Sequence, residues 1–222
     1  MSDVIDFRMH NGATEILLVR HADAMPAPDD LEVDEQYIEQ PLSANGRAQS
    51  LALAGRLRSY DIAALVSSPM LRARQTLQPL ATELGLDVVI DDRLREVALG
   101  TIAVDHLPDT ATRAEVSRAR LMALGAHAIK HGSWDLIPGT EGSADVRARA
   151  TAAIDELAEK YPGRRVVVAS HAGTINAYLA AILGITADFF FPAENTSISA
   201  VRAHADRRML VSLNDVNHLN NG

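Results

Sequence analysis

Cysteine is absent from the 222-residue chain. That excludes disulfides, iron–sulfur clusters, thiolate zinc sites and a cysteine nucleophile together. It also removes any redox clue to compartment. Positive charge is in deficit, with 21 Lys+Arg against 29 Asp+Glu and a formal net charge of −8. A broad nucleic-acid face needs clustered cations, so no nucleic-acid partner is expected. A small anionic ligand is not excluded, because a few arginines in one cleft outweigh a distant acidic surface. Long apolar runs are missing as well. No stretch approaches the roughly 20 apolar residues that cross a bilayer. Residues 1–11 hold two aspartates and no apolar run, unlike a signal peptide. The expectation is a cytoplasmic protein without a membrane partner.

What is present reads as a folded α/β chain. Apolar residues make up 47% and charged residues 23%, which argues against wholesale disorder. Short aliphatic, β-branched runs at 15–19, 63–67, 87–90, 165–170, 197–203 and 209–213 predict strands. Continuous runs of this length suit strands buried on both faces, as in a parallel sheet covered by helices. Helical patterns fill the intervals at 43–59, 69–84, 112–130, 143–160 and 174–183. Ser43 and Ser143 are the expected N-caps, Pro69 suits a first helical turn, and Pro79 predicts a kink. The alternation predicts a three-layer α/β/α sandwich with a mostly parallel central sheet. One domain is expected over 1–222, with a flexible tail at 1–13, a long loop at 23–40 and a lid insertion at 101–142.

In open α/β sheets, ligands bind beyond the carboxyl ends of the strands. Three expected strands end in reactive residues: Arg20-His21, then Ser67-Ser68-Pro69 with Arg72 one turn on, then Ser170-His171 at a helix start. Two histidines and two arginines, far apart in sequence, are thus expected on one rim. Arginine forks onto phosphate oxygens, and helix N-termini add backbone donors there. Two imidazoles suggest one nucleophile and one stabiliser of charge.

Leu17-Leu18-Val19-Arg20-His21-Ala22-Asp23-Ala24 resembles the Arg-His-Gly signature of the histidine phosphatase superfamily, the phosphoglycerate mutase-like proteins. The resemblance continues in order along the chain. Leu42-Ser43-Ala44-Asn45-Gly46-Arg47-Ala48-Gln49 resembles the entry to the family's first helix. Ser67-Ser68-Pro69-Met70-Leu71-Arg72-Ala73-Arg74-Gln75-Thr76 is similar to its serine-proline…arginine…glutamine-threonine segment. Leu94-Arg95-Glu96, with Gly100 after it, resembles the segment of its acid, and residues 166–176 that of its second histidine. Residues 195–198 and 213–215 fit its closing strands.

The resemblance implies a phosphoglycerate mutase-like fold and metal-independent hydrolysis of a phosphomonoester, with no cofactor. It implies that His21 carries a phosphohistidine, that Arg20, Arg72 and His171 surround the phosphoryl oxygens, and that Glu96 is the general acid and base. The implied partner is a small phosphorylated substrate, with a homodimer left open. A phosphoglycerate mutase, or an inactive relative that binds a phosphorylated ligand, are the alternatives. The chain departs from the pattern at Ala22 and Ala172, where the family carries glycine, at Asp23-Ala24, and at Thr101-Ile102-Ala103. Ser67 and the backbone after His21 are minor candidate donors, and Arg95, Arg113 and Arg120 are cations that folding could bring inward. His127 and His131, four apart, have a zinc-compatible spacing but read as a solvated helix face. His106 reads as a loop residue; Glu141 could approach the site but reads rather as a helix cap. Phe189, Phe190, Phe191 and Trp134 read as packing, with Trp134 also weighed as a substrate platform.

Overall fold

The computed structural model describes residues 8–25, 40–98, 100, 108 and 112–220. Six strands form one sheet: β1 (Thr14–Arg20), β2 (Ala64–Ser67), β3 (Val88–Ile90), β4 (Arg165–Ser170), β5 (Ile198–His204) and β6 (Arg207–Asp215). Five α-helices accompany them: α1 (Ala44–Leu57), α2 (Leu71–Leu84), α3 (Arg113–His131), α4 (Ser143–Lys160) and α5 (Ala172–Leu183). The strand order is β3-β2-β4-β1-β5-β6. The four strands β3, β2, β4 and β1 run parallel, and β5 and β6 add antiparallel to the β1 edge. The expected sandwich with a mostly parallel sheet is the observed one.

Alternation along the strands sorts side chains onto two faces. Ile16, Leu18, Val66, Val166 and Val168 pack with Ile154 and Leu157 of α4 and Ile175, Tyr178 and Leu179 of α5. Leu17, Val19, Leu65, Val167 and Ala169 pack with Leu53 and Leu57 of α1 and Leu77 and Leu80 of α2. Both faces of β1 and β4 are therefore covered, which explains their unbroken apolar runs. A third cluster joins Leu124 and Ala128 of α3 to Trp134, Ile137, Val146 and Ala177.

Several boundaries differ from the sequence reading for local reasons. α2 starts at Leu71 rather than Pro69, because Met70 holds an extended φ of −67° with ψ 135°. Pro79 lies inside α2 without ending it. Proline removes the N–H that would reach the carbonyl four residues back; Ser50 of α1 supplies a donor there, bonding Gln75 O at 3.3 Å and Thr76 O at 2.8 Å. Ser43 caps α1 as expected, accepting from Gly46 N. Ser143 does not cap α4: Gly142 takes that position, and the Ser143 hydroxyl donates to buried Asp188 instead.

Of the expected tail, residues 1–7 lie outside the described residues. Met9–Asn11 form a 3-10 turn and Ala13 is buried at the head of β1. Most of the 23–40 loop, at 26–39, is likewise outside the described residues. So are 101–107 and 109–111 of the expected lid, with His106 and the Thr101-Ile102-Ala103 departure among them. Among the described residues no helix is long and apolar enough to cross a membrane.

Candidate active site

The register of the central strands builds the site. Arg20 of β1 pairs with Ser170 of β4, and Ala169 of β4 with Ser67 of β2. The residues that follow, His21, Ser68 and His171, therefore emerge at one level from the carboxyl end of the sheet. Backbone bonds lock that level: His21 N donates to Ser170 O and Ser68 N to Ala169 O, both at 2.9 Å.

The two imidazoles lie with ring centroids 5.1 Å apart. The Nδ1 of His21 is 2.8 Å from the carbonyl of Ala22. A carbonyl only accepts, so Nδ1 carries the proton and Nε2 is left bare. Burial, then the Arg72 and Arg20 guanidinium charges, push the His21 pKa well below the ordinary imidazole value. His171 is fully buried, with Nε2 2.7 Å from the Ser68 hydroxyl. Its pKa is also pushed well down, by burial first, then by Arg72, His21, Arg20 and Arg149. Both rings are thus neutral near pH 7.

Arg20 donates through Nη1 to Ala193 O at 2.6 Å. Its Nε is buried without a partner, and so is Nδ1 of His171. Unpartnered buried nitrogens call for an explanation, and these two flank His21, one in the preceding residue and one on the neighbouring ring. Arg72, buried in the first turn of α2, adds its charge to both imidazoles. Glu96 joins from the segment after β3. Its charge acts on Arg20, and its carboxylate accepts from Val97 N, Gly173 N and Thr174 N at 3.0, 3.3 and 3.1 Å. The last two are amides of the first turn of α5, where an anion is favoured. The structure therefore brings together all five residues singled out from the sequence: Arg20, His21, Arg72, Glu96 and His171.

Neighbouring fragments hold the turn after His21. Ala22 N donates to Thr76 Oγ1 and Asp23 N to Gln49 Oε1, both at 2.9 Å. Ser43 N donates to Asp23 O at 3.0 Å. Gly46 is required there, since a Cβ would lie 1.9 Å from Asp23 O. The backbone after His21 is thus engaged and is no free donor. Ser67 is none either, because its hydroxyl bonds Ser68 O at 2.8 Å. Ala22 is buried and Ala172 opens α5, and neither is among the residues with positive φ. Alanine fits both places without backbone strain.

The remaining candidates lie elsewhere. Glu141 caps no helix. It pairs with Arg149 and Arg95 at 2.8 and 2.9 Å, which also keeps Arg95 out of the site. Arg120 is exposed, and the side chain of Arg113 is outside the described residues. Trp134 is buried against Phe189, so it is no substrate platform. His127 and His131 stack at 4.3 Å, and no group of three metal-binding side chains occurs among the described residues.

Three functional neighbours escaped the sequence reading. Ser68, not Ser67, meets His171; its place in Ser67-Ser68-Pro69 was the available signal. Asn195 donates to His21 O at 2.9 Å. Arg149 of α4 bonds the carbonyls of Arg93, Arg95 and Glu96 at 2.7, 2.8 and 3.3 Å, and so fixes the chain that carries Glu96.

Known proteins resemble this chain in sequence and in fold. A model of the histidine phosphatase superfamily, branch 1, matches residues 16–216. A Shigella dysenteriae protein named "Probable phosphoglycerate mutase GpmB" is 28% identical over 150 residues, 67% of this chain and 66% of that protein. The chain thus spans just under two thirds of the length of such curated relatives. Among solved structures, a mycobacterial glucosyl-3-phosphoglycerate phosphatase in complex with VO3 is 28% identical, with TM-score 0.67 over 90% of this chain and 98% of its own. A phosphoglycerate mutase from Bacillus anthracis, at 16% identity and TM-score 0.71 over 94% of this chain and 96% of its own, shares the fold.

Proposed function

The chain belongs to the histidine phosphatase superfamily, branch 1, and from that premise we propose that it hydrolyses a small phosphomonoester through a phosphohistidine at His21. One observation carries the reading: the neutral His21 imidazole, bare at Nε2, stands beside two buried nitrogens without a partner, Arg20 Nε and His171 Nδ1. Nε2 of His21 attacks phosphorus, and the bond to the alcohol oxygen breaks. Arg20, Arg72 and His171 hold the phosphoryl oxygens and stabilise the charge of the transition state. Glu96 gives its proton to the departing alkoxide. It then takes one from the water that attacks phosphorus and frees His21. The nucleophile and the cations all come from the chain, so turnover proceeds in EDTA.

The test is hydrolysis of para-nitrophenyl phosphate in EDTA by the wild-type protein and His21→Ala. The expected result is turnover by the wild type alone, with a trapped phosphoenzyme that survives alkali and is lost in acid. Turnover that persists in His21→Ala, or a label stable to acid, refutes the phosphohistidine. The name of the curated relatives favours a second reading, a phosphoglycerate mutase. Conversion of 3-phosphoglycerate to 2-phosphoglycerate without release of phosphate would select it. Phosphate binding with neither turnover nor conversion would mark an inactive binding relative.

A further inference from the structure

Ser68 is fully buried at the end of β2, 103 residues from His171 in sequence. Its Oγ accepts from Met70 N at 3.3 Å and lies 2.7 Å from His171 Nε2. We propose that Ser68 is a positioning residue that donates its single proton to Nε2, fixing His171 as the neutral Nδ1–H tautomer so that a protonated nitrogen faces the phosphoryl group.

Counting donors and acceptors supports this assignment. A serine hydroxyl has one proton and two lone pairs. If Ser68 donates to Nε2, Met70 N takes one lone pair, and the only group left without a partner is the Nδ1–H of His171. If Nε2 carried the proton instead, Ser68 would accept twice. Its own buried proton would then have no acceptor, and the Nδ1 lone pair would be orphaned as well. Burial penalises each orphan, so the first arrangement is preferred. It also suits an anion, since a bare Nδ1 would turn a lone pair toward phosphoryl oxygen. Burial and the neighbouring guanidinium charges keep the ring neutral, so the tautomer alone decides whether His171 donates.

The two histidines then share one tautomer for opposite purposes. The Ala22 carbonyl takes the Nδ1 proton of His21 and bares the attacking nitrogen. The Ser68 hydroxyl caps Nε2 of His171 and leaves the donor nitrogen open. The catalytic consequence rests on the phosphatase reading above; the tautomer does not.

The experiment is long-range 1H–15N correlation on uniformly 15N-labelled full-length protein near pH 7.5, with the His171 signals identified by their loss in His171→Gln. The wild type is expected to show a protonated Nδ1 and a bare Nε2. Ser68→Ala should move His171 toward protonation at Nε2, and Ser68→Thr, which keeps the hydroxyl, should restore the wild-type pattern. In parallel, kcat should fall about tenfold in Ser68→Ala and recover in Ser68→Thr. A wild-type His171 protonated at Nε2 overturns the proposal, as does a tautomer unchanged in folded Ser68→Ala. Should Ser68→Ala not fold, the wild-type spectrum decides alone. An inactive wild type with the expected tautomer would sink the phosphatase reading and leave the proton assignment standing.

Discussion

Gly173→Ala tests the acid–base role proposed for Glu96 apart from the rest of the site. Gly173 is the second residue of α5 and has an ordinary helical backbone, since it is not among the glycines with positive φ. Alanine is favoured over glycine in a helix by about 1 kcal/mol. The added methyl opposes this, because an ideal Cβ would lie 2.6 Å from Glu96 Oε1 and 2.7 Å from Val97 Cγ2. Overpacking of that kind costs about 1–3 kcal/mol. The net loss of stability is therefore about 0–2 kcal/mol, worth a few degrees of Tm in a chain of this length. Catalysis should suffer far more. The clash is relieved most easily by turning the Glu96 carboxylate off the Gly173 and Thr174 amides, and general acid catalysis contributes roughly 100- to 10,000-fold. Thermal melts should show a folded protein, and phosphate-release assays should show kcat for an alkyl phosphate down about 100-fold or more. Para-nitrophenyl phosphate, whose leaving group hardly needs a proton, should lose much less in the phosphorylation step. An equal loss of kcat/KM, which reads the phosphorylation step, on both substrates, or no loss on either, refutes the placement of Glu96.

Two further outcomes follow from the same geometry. Arg149→Met removes a largely buried cation that binds Glu141 and three carbonyls of the Glu96 segment; urea unfolding should show a loss of about 3 kcal/mol, and an undiminished stability would contradict the clamp. The second outcome concerns pH. His21, His171 and His218 all have pKa values lowered in the folded state, chiefly by burial. Above pH 6.5 they are neutral whether folded or not, and their contribution is constant. Below it the unfolded chain gains protons that the folded chain refuses, so stability falls with pH. At about pH 5.5 His21 and His171 together amount to about 3 kcal/mol if the native rings stay neutral, and the less enclosed His218 adds a smaller part. Melts that hold steady from pH 7.5 to 5.5 would refute that sign.

The sequence made the sheet and the approach of Arg20, His21, Arg72 and His171 legible for specific physical reasons, whereas Glu96 came only from the family resemblance. β1 and β4 are buried on both faces, so their apolar runs stand out, and Arg20-His21 and Ser170-His171 end them abruptly. Two of the family fragments, 42–49 and 67–76, hold the backbone of the turn after His21. Ser43 and Gln49 hold Asp23, Thr76 holds Ala22, and Gly46 leaves space for Asp23 O. What stayed hidden depends on contacts between distant segments. Nothing near Arg149 announces that it binds carbonyls more than fifty residues away. Nothing near Glu141 distinguishes a cap from an ion-pair partner. The choice of Ser68 over Ser67 turns on the alternation of a strand end, which places one hydroxyl against its own chain and the other against His171.

The pairing of β1 with β4 joins residues 150 apart in the chain, from Glu15↔Arg165 to Arg20↔Ser170. Contacts of such long sequence separation are entropically late in folding. During synthesis, Arg20 and His21 must therefore wait until some 150 further residues have been made before the second imidazole can reach them. No N-terminal fragment that ends before β4 brings the two imidazoles together. Phosphate binding during refolding would accordingly report the closing of the sheet's centre, later than the packing of α1 on α2, whose partners are near neighbours in the chain.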